Sequence, residues 1–134
     1  MRPAAAFAVA AALALPFWMS GGRAVAGPLP TRIGQCARTM ISKVSQRLED
    51  ASTGRLIPGS GSAVNFADGG YQVSYEEVPQ INRSRPGDPV RICLVAVPRH
   101  CPPGDNRGRM YKTTNLRTQG SWTLPDSEHM CGGA

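Results

Sequence analysis

The side chains with the clearest chemical meaning in this sequence are its four cysteines, Cys36, Cys93, Cys101 and Cys131. An even number of cysteines in a small chain is typical of disulfide pairing in an oxidising compartment. Three pairings are possible, and the spacing alone does not choose among them. The segment between Cys93 and Cys101 contains Pro98 and could close a small loop. We therefore favour Cys93–Cys101 together with Cys36–Cys131, which would join the two ends of the domain.

Two histidines close to cysteines raise the alternative of a zinc site. His100 precedes Cys101, and His129 lies two residues before Cys131. These spacings do not match the usual zinc motifs, and neighbouring residues of an extended chain point in opposite directions. We therefore expect two disulfides, no metal and no cofactor, with both histidines as ordinary surface or loop residues.

A serine, an aspartate and a histidine of the types used in hydrolytic triads lie near the end of the chain, as Ser121, Asp126 and His129. Such residues are common in turns, and no oxyanion-stabilising loop accompanies them. The adjacent Glu76 and Glu77 would point to opposite faces of a strand, so they could not act as an acid and base pair. Because neither a supported catalytic triad nor an acid and base pair is found, we expect a protein that is not an enzyme.

Arginine dominates the charge of residues 27–134, which carry 13 Lys and Arg, 11 of them arginine, against 9 Asp and Glu, a net charge of +4. The planar guanidinium matches carboxylate and phosphate oxygens two at a time, so an arginine-rich surface suits an anionic partner. The alternative is a solvated surface with no such role. The densest cluster, and the predicted binding surface, consists of Arg83, Arg85, Arg91, Arg99, Arg107 and Arg109.

The first 26 residues have the pattern of an export signal. Arg2 precedes an apolar stretch over residues 4–19, and small residues ending in Ala24-Val25-Ala26 match a signal-peptidase site. The apolar stretch is shorter than the roughly 20 residues that a spanning helix needs. We expect cleavage before Gly27 and a periplasmic or secreted protein without a membrane span, with an uncleaved anchor as the alternative.

Residues 27–134 are enough for one small disulfide-stabilised domain. From Ile33 to Leu48, apolar residues recur at steps of three and four, which favours an amphipathic helix over 33–48. The competing interpretation is a bulged strand over 39–48. A Gly- and Ser-rich loop follows, up to Ser62.

Alternating apolar residues predict β-structure in the rest of the domain. Residues 64–75 indicate a hairpin around Asp68-Gly69-Gly70, and 90–97 is the most apolar run, typical of a central buried strand. Residues 110–114 and 121–124 indicate a second hairpin, with Trp122 in the core. The predicted fold is mainly β, a small antiparallel barrel or sandwich with one N-terminal helix and two disulfides.

Several strings of the sequence resemble a set of small uncharacterised exported proteins of Gram-negative bacteria, over nearly all of residues 27–134. The strings are Gly87-Asp88-Pro89-Val90 with Cys93-Leu94, Cys101-Pro102-Pro103-Gly104-Asp105 with Arg107-Gly108, Asn115-Leu116-Arg117-Thr118, Ser121-Trp122-Thr123-Leu124-Pro125-Asp126-Ser127 with His129, and Cys131-Gly132-Gly133-Ala134. The resemblance implies a signal peptide and two disulfides. It implies no particular chemistry.

Three functions are compatible with these observations. The one we expect is a non-catalytic binding module of the cell envelope, whose arginines contact an anionic envelope component or an acidic protein. Nucleic acid is not expected as a partner, because aromatic residues are few and no recognition motif is present. The alternatives are a secreted inhibitor of a lysozyme- or protease-type hydrolase, with the loop 98–105 as a wedge, and a minimal hydrolase that uses His129.

Overall fold

The computed structural model describes residues 27–133, so the predicted signal segment 1–26 lies outside the described residues. Six strands and one short helix follow one another within residues 27–133. They are β1 (Cys36–Gln46), β2 (Ser62–Phe66), β3 (Tyr71–Val73), α1 (Pro79–Asn82), β4 (Pro89–Ala96), β5 (Met110–Asn115) and β6 (Ser121–Pro125). The strands form one antiparallel sheet in the order β3-β2-β1-β4-β5-β6. The mainly β prediction is confirmed, including both hairpins.

The helix predicted over 33–48 is wrong, because this segment contains β1. The first half of β1 pairs with β4 and the second half pairs with β2, with a bulge between Ile41 and Lys43. Before the bulge the buried positions Thr39 and Ile41 are two residues apart, whereas the next buried position, Ser45, follows four residues later. The extra residue of a bulge shifts the alternation of a strand, and here it produces spacings that resemble a helix. The bulged-strand alternative was the correct interpretation.

The core lies on the inner face of the sheet, and β4 crosses its centre as predicted. Val90, Ile92 and Leu94 of this strand are buried, while Arg91 between them is exposed. Trp122 is buried against the same core. This alternation sends every second side chain of the strand to the outer surface.

The sheet curls until its two edge strands, β3 and β6, come into contact, and the side chain of Gln72 bridges them. Its Nε2 donates to the carbonyl oxygens of Tyr111 (2.7 Å) and Leu124 (3.0 Å). Its Oε1 accepts from Thr113 Oγ1 (2.6 Å) and from Trp122 Nε1 (2.9 Å). Gln72 is fully buried, and these four bonds use both donors and both acceptor positions of its amide.

Two disulfides are present, but the pairing that we favoured is wrong. Cys36 bonds to Cys93, and Cys101 bonds to Cys131. Cys36 and Cys93 are directly opposite each other on β1 and β4, a register that a helical segment at Cys36 would not allow. The second bond ties the loop after β4 to the C-terminal segment.

Candidate functional site

The outward-facing side chains of β1, β4, β5 and β6 form two rows across the outer surface of the sheet. The strand register places Arg38, Arg91, Thr114 and Ser121 in one row. The next row holds Cys36, Cys93, Lys112 and Thr123. We call these two rows the cationic face. Arg38, Arg91 and Lys112 are all exposed.

Arg38 and Arg91 are directly opposite each other on adjacent strands. Two residues away, the Cα atoms of Cys36 and Cys93 are only 4.0 Å apart, so that pair is of the closely spaced type. Close and wide pairs alternate along an antiparallel ladder, so Arg38 and Arg91 also form a close pair, with Cα atoms about 4.5 Å apart. The two arginine side chains therefore project from the same surface of the sheet, and their Cα atoms are close together.

The charges of the cationic face have no internal counter-charge. Within residues 27–133, Arg38, Arg91 and Lys112 form no ion pair. Like charges directly opposite each other destabilise a sheet. The Arg38–Arg91 pair therefore reduces folding stability, with no carboxylate of the described residues to offset it. The cations that do pair with carboxylates lie elsewhere, and they are Lys43, Arg47, Arg85, Arg107 and Arg117.

The structure does not bring the six predicted arginines together on one surface. Of these, Arg91 alone lies on the cationic face. Arg83 and Arg85 precede the first residue of β4, whereas Arg99, Arg107 and Arg109 lie at the other end of this strand. The eight residues of β4, at about 3.3 Å each, separate the two groups by roughly 25 Å.

Sequence reasoning missed Arg38 and Lys112, the neighbours of Arg91 on the cationic face. Arg38 is 53 positions away from Arg91 in the chain and lay within the predicted helix. A strand prediction for this segment would have identified Arg38. Side chains two residues apart lie on the same side of a strand, so Arg38 shares a side with Cys36.

Arg107 is engaged by the loop in which it lies. Its Nε and Nη2 donate to the two carboxylate oxygens of Asp105, both at 2.9 Å, and the amide of Gly132 donates to the same carboxylate. These hydrogen bonds hold the pKa of Asp105 well below its usual range, and the one from the Arg107 side chain contributes most. The loop borders an open groove of about 600 Å³ that also contacts Asp126 and Ser127.

A buried network around Asp88 joins the turn before β4 to the turn between β5 and β6. The Asp88 carboxylate is 3% exposed and accepts from Arg117 Nη2 (2.8 Å), Asn115 Nδ2 (2.8 Å) and the Arg85 amide (3.0 Å). The hydrogen bonds from Arg117 are the main reason why the pKa of Asp88 lies well below its usual range, and burial opposes them. The network positions the two turns at one end of the cationic face.

Ser121, Asp126 and His129 do not form a triad. Ser121 Oγ lies 2.9 Å from Thr114 Oγ1 on the outer surface. Asp126 follows the end of β6, about 17 Å further along the strand, and accepts from the amides of Gly108 and Arg109. His129 is exposed. No group of three His, Cys, Asp or Glu in the described part of the chain could hold a metal ion.

A second cavity, of about 130 Å³, lies at one end of the sheet beside Gly70, Tyr71 and Tyr111. The Tyr111 hydroxyl donates to the Pro30 carbonyl (3.2 Å), and burial raises its pKa. Neither this cavity nor the groove at Asp105 is lined by a residue of the cationic face. A ligand of the cationic face would lie on an open surface.

Comparison with protein-family models, with curated proteins and with solved structures gives no match for this chain. Between residues 27 and 133, no helix combines the length and the apolar character needed to cross a membrane. On the cationic face, Arg38 and Arg91 are directly opposite each other, and neither forms an ion pair with another of the described residues.

Proposed function

We propose that this chain is an exported, non-catalytic binding module of the cell envelope whose cationic face takes an anionic partner. The observation that carries the proposal is the Arg38–Arg91 pair, held in register at an exposed surface and without an ion-pairing carboxylate among residues 27–133. An external anion would relieve the repulsion between the two guanidinium groups. Binding and folding would then favour the same arrangement.

Export is supported by two independent features. The pattern of residues 1–26 is that of a signal peptide, with cleavage expected before Gly27. Disulfides such as Cys36–Cys93 persist in the periplasm and outside the cell, where the compartment is oxidising. The anionic partner would accordingly be a component of the envelope or an acidic protein encountered there.

The chemistry of the cationic face supports oxyanion binding. Each guanidinium can donate to two oxygens of one oxyanion at once. The hydroxyl groups of Thr114, Ser121 and Thr123 continue the two rows and can donate or accept hydrogen bonds. Since the surface is open to solvent, salt should weaken the attraction.

The test is capture of envelope fractions by the protein purified after export of the full chain. Peptidoglycan, extracted envelope glycans and phosphatidylglycerol vesicles would be compared from low to high salt. The double variant Arg38→Ala with Arg91→Ala should lose capture, and rising salt should abolish it in the parent protein. The matched control is Lys43→Ala with Arg55→Ala, which removes the same charge from two exposed cations outside the cationic face. Salt-resistant capture, or equal losses in both double variants, would contradict the proposal.

A second candidate is an inhibitor of a secreted hydrolase, favoured by the way the loop after β4 is held. Cys101–Cys131 and the Asp105–Arg107 ion pair fix this loop, while Pro102 and Pro103 are exposed. A loop held in one conformation loses little entropy on binding. Stoichiometric loss of lysozyme or protease activity on titration would support this candidate. The hydrolase hypothesis has no comparable observation in its favour, because Ser121 and Asp126 lie at opposite ends of β6.

A further inference from the structure

We infer that the group bound between Arg38 and Arg91 is the dianionic phosphate monoester of a phosphorylated saccharide. This inference rests on the proposed function and names the ligand of the same face. Two guanidinium groups carry two positive charges, and a phosphate monoester carries about 1.5 to 2 negative charges at neutral pH. A carboxylate or a phosphate diester carries one charge, which a single arginine can satisfy with two hydrogen bonds.

The register of the strands allows both arginines to reach one group. Their Cα atoms form a close cross-strand pair, and both side chains leave the outer surface of the sheet. The three terminal oxygens of a phosphate monoester can accept from both guanidinium forks together. Lys112 lies in the next row, opposite Cys93, and adds positive potential.

The saccharide part of the inference comes from the side chains that continue the Arg38 row. Thr114 is opposite Arg91, and its Oγ1 lies 2.9 Å from Ser121 Oγ. This hydroxyl pair offers neutral hydrogen bonds to whatever carries the phosphate, and sugar hydroxyls match it. A lipid surface fits less well, because basic clusters that bind membranes contain four to eight basic side chains and this face has three.

The pH dependence of the preference for a phosphate monoester should come from the ligand. Cleavage before Gly27 would leave an α-amino group whose nitrogen lies 3.1 Å from the Arg38 carbonyl oxygen, and its positive charge would attract every anionic probe alike. The cationic face presents Arg38 from β1, Arg91 from β4 and Lys112 from β5, while β6 contributes only hydroxyl side chains. No histidine or carboxylate occupies an outward position in these two rows. The second pKa of a phosphate monoester is about 6, so its charge falls between about pH 7.5 and about pH 5.

The experiment is titration of the exported, oxidised protein, followed by NMR shifts of the backbone amides. Four probes would be used: glucose 6-phosphate, glucuronate, glycerophosphoglycerol as a diester, and vesicles containing phosphatidic acid. We expect glucose 6-phosphate to bind about tenfold or more tightly than glucuronate or the diester at about pH 7.5, and to lose this preference at about pH 5. The shifts should lie on β1 and β4 around Arg38 and Arg91.

Two variants identify the arginine pair as the site. Arg38→Ala should weaken glucose 6-phosphate binding about tenfold and change glucuronate binding little, because one arginine is enough for a carboxylate. Arg38→Lys keeps the charge but loses the planar fork, so it should also lose most of the preference. The Lys43→Ala, Arg55→Ala control should bind as the parent protein does. All these side chains are exposed, and a thermal unfolding curve would verify that each variant is folded.

The outcomes separate this inference from the proposed function. If envelope fractions are captured in a salt-dependent way but glucose 6-phosphate binds no better than glucuronate, the inference fails and the proposed function stands. Binding to phosphatidic acid vesicles without binding to glucose 6-phosphate would also overturn the saccharide assignment. If neither envelope fractions nor glucose 6-phosphate binds, both proposals fail.

Discussion

Replacing Gln72 by leucine tests whether a single side chain closes the curled sheet. Leucine is of similar size but cannot hydrogen-bond, so the change removes the bridge between β3 and β6 while keeping the volume. In the parent protein, Gln72 Oε1 is the acceptor for the indole N–H of Trp122 and for the hydroxyl of Thr113. Both donors lie in the buried interior and would lose their partner.

The expected loss of stability can be worked from those two donors. A buried donor left without an acceptor costs about 1–3 kcal/mol, so two such donors give a loss of about 2–6 kcal/mol. A domain of this size has a free energy of unfolding of about 5–15 kcal/mol in total. Gln72→Leu should therefore remove a large share of the stability, although no residue of the cationic face is touched.

Urea unfolding followed by fluorescence measures this loss, because Trp122 is the one tryptophan of the described residues and lies at the bridge. The control is the double variant Gln72→Leu with Thr113→Val, which removes one orphaned donor together with its acceptor. We expect it to be about 1 kcal/mol or more stable than the sum of the two single changes predicts. A loss below about 1 kcal/mol for Gln72→Leu, or strict additivity in the double variant, would refute the reasoning.

Three further predictions concern charge and covalent bonds. Arg38→Glu replaces the repulsion between Arg38 and Arg91 by a cross-strand ion pair. The free energy of unfolding in urea should therefore rise by about 0.2–1 kcal/mol, while anion capture is lost. A fall in that free energy would contradict the close pairing. Because Arg117 lowers the pKa of Asp88, the stability from this carboxylate is present above its unfolded pKa of about 3.9 and is lost as the pH falls below it. Arg117→Gln should raise that folded pKa and make the decline between about pH 5 and pH 2 shallower, whereas an unchanged profile would argue against the network. Replacing Cys101 and Cys131 by serine opens a loop with a sequence separation of 30 residues, and thermal or urea unfolding should show a loss of about 3–4 kcal/mol; an unchanged midpoint would contradict this cross-link.

Local patterns were sufficient for much of the β-structure. The hairpin over 64–75 and the hairpin that holds Trp122 each have turn residues between two short runs of strand-forming residues, so neighbouring residues indicate each one. The segment 33–48 was mispredicted because its bulge imitates helical spacing, and its strand conformation depends on pairing with β2 and β4. Local periodicity cannot detect a partner strand that lies tens of residues away.

By itself, then, the sequence determined the mainly β class, the central buried strand and the presence of two disulfides, since these follow from alternation and from counting cysteines. Tertiary structure alone decided which cysteines bond and which cations share a surface. Arg38 meets Arg91 only because β1 and β4 pair in one register, and a shift of one residue would turn one arginine toward the core. Register is set by the burial of both strands at once, and that is a property of the whole sheet.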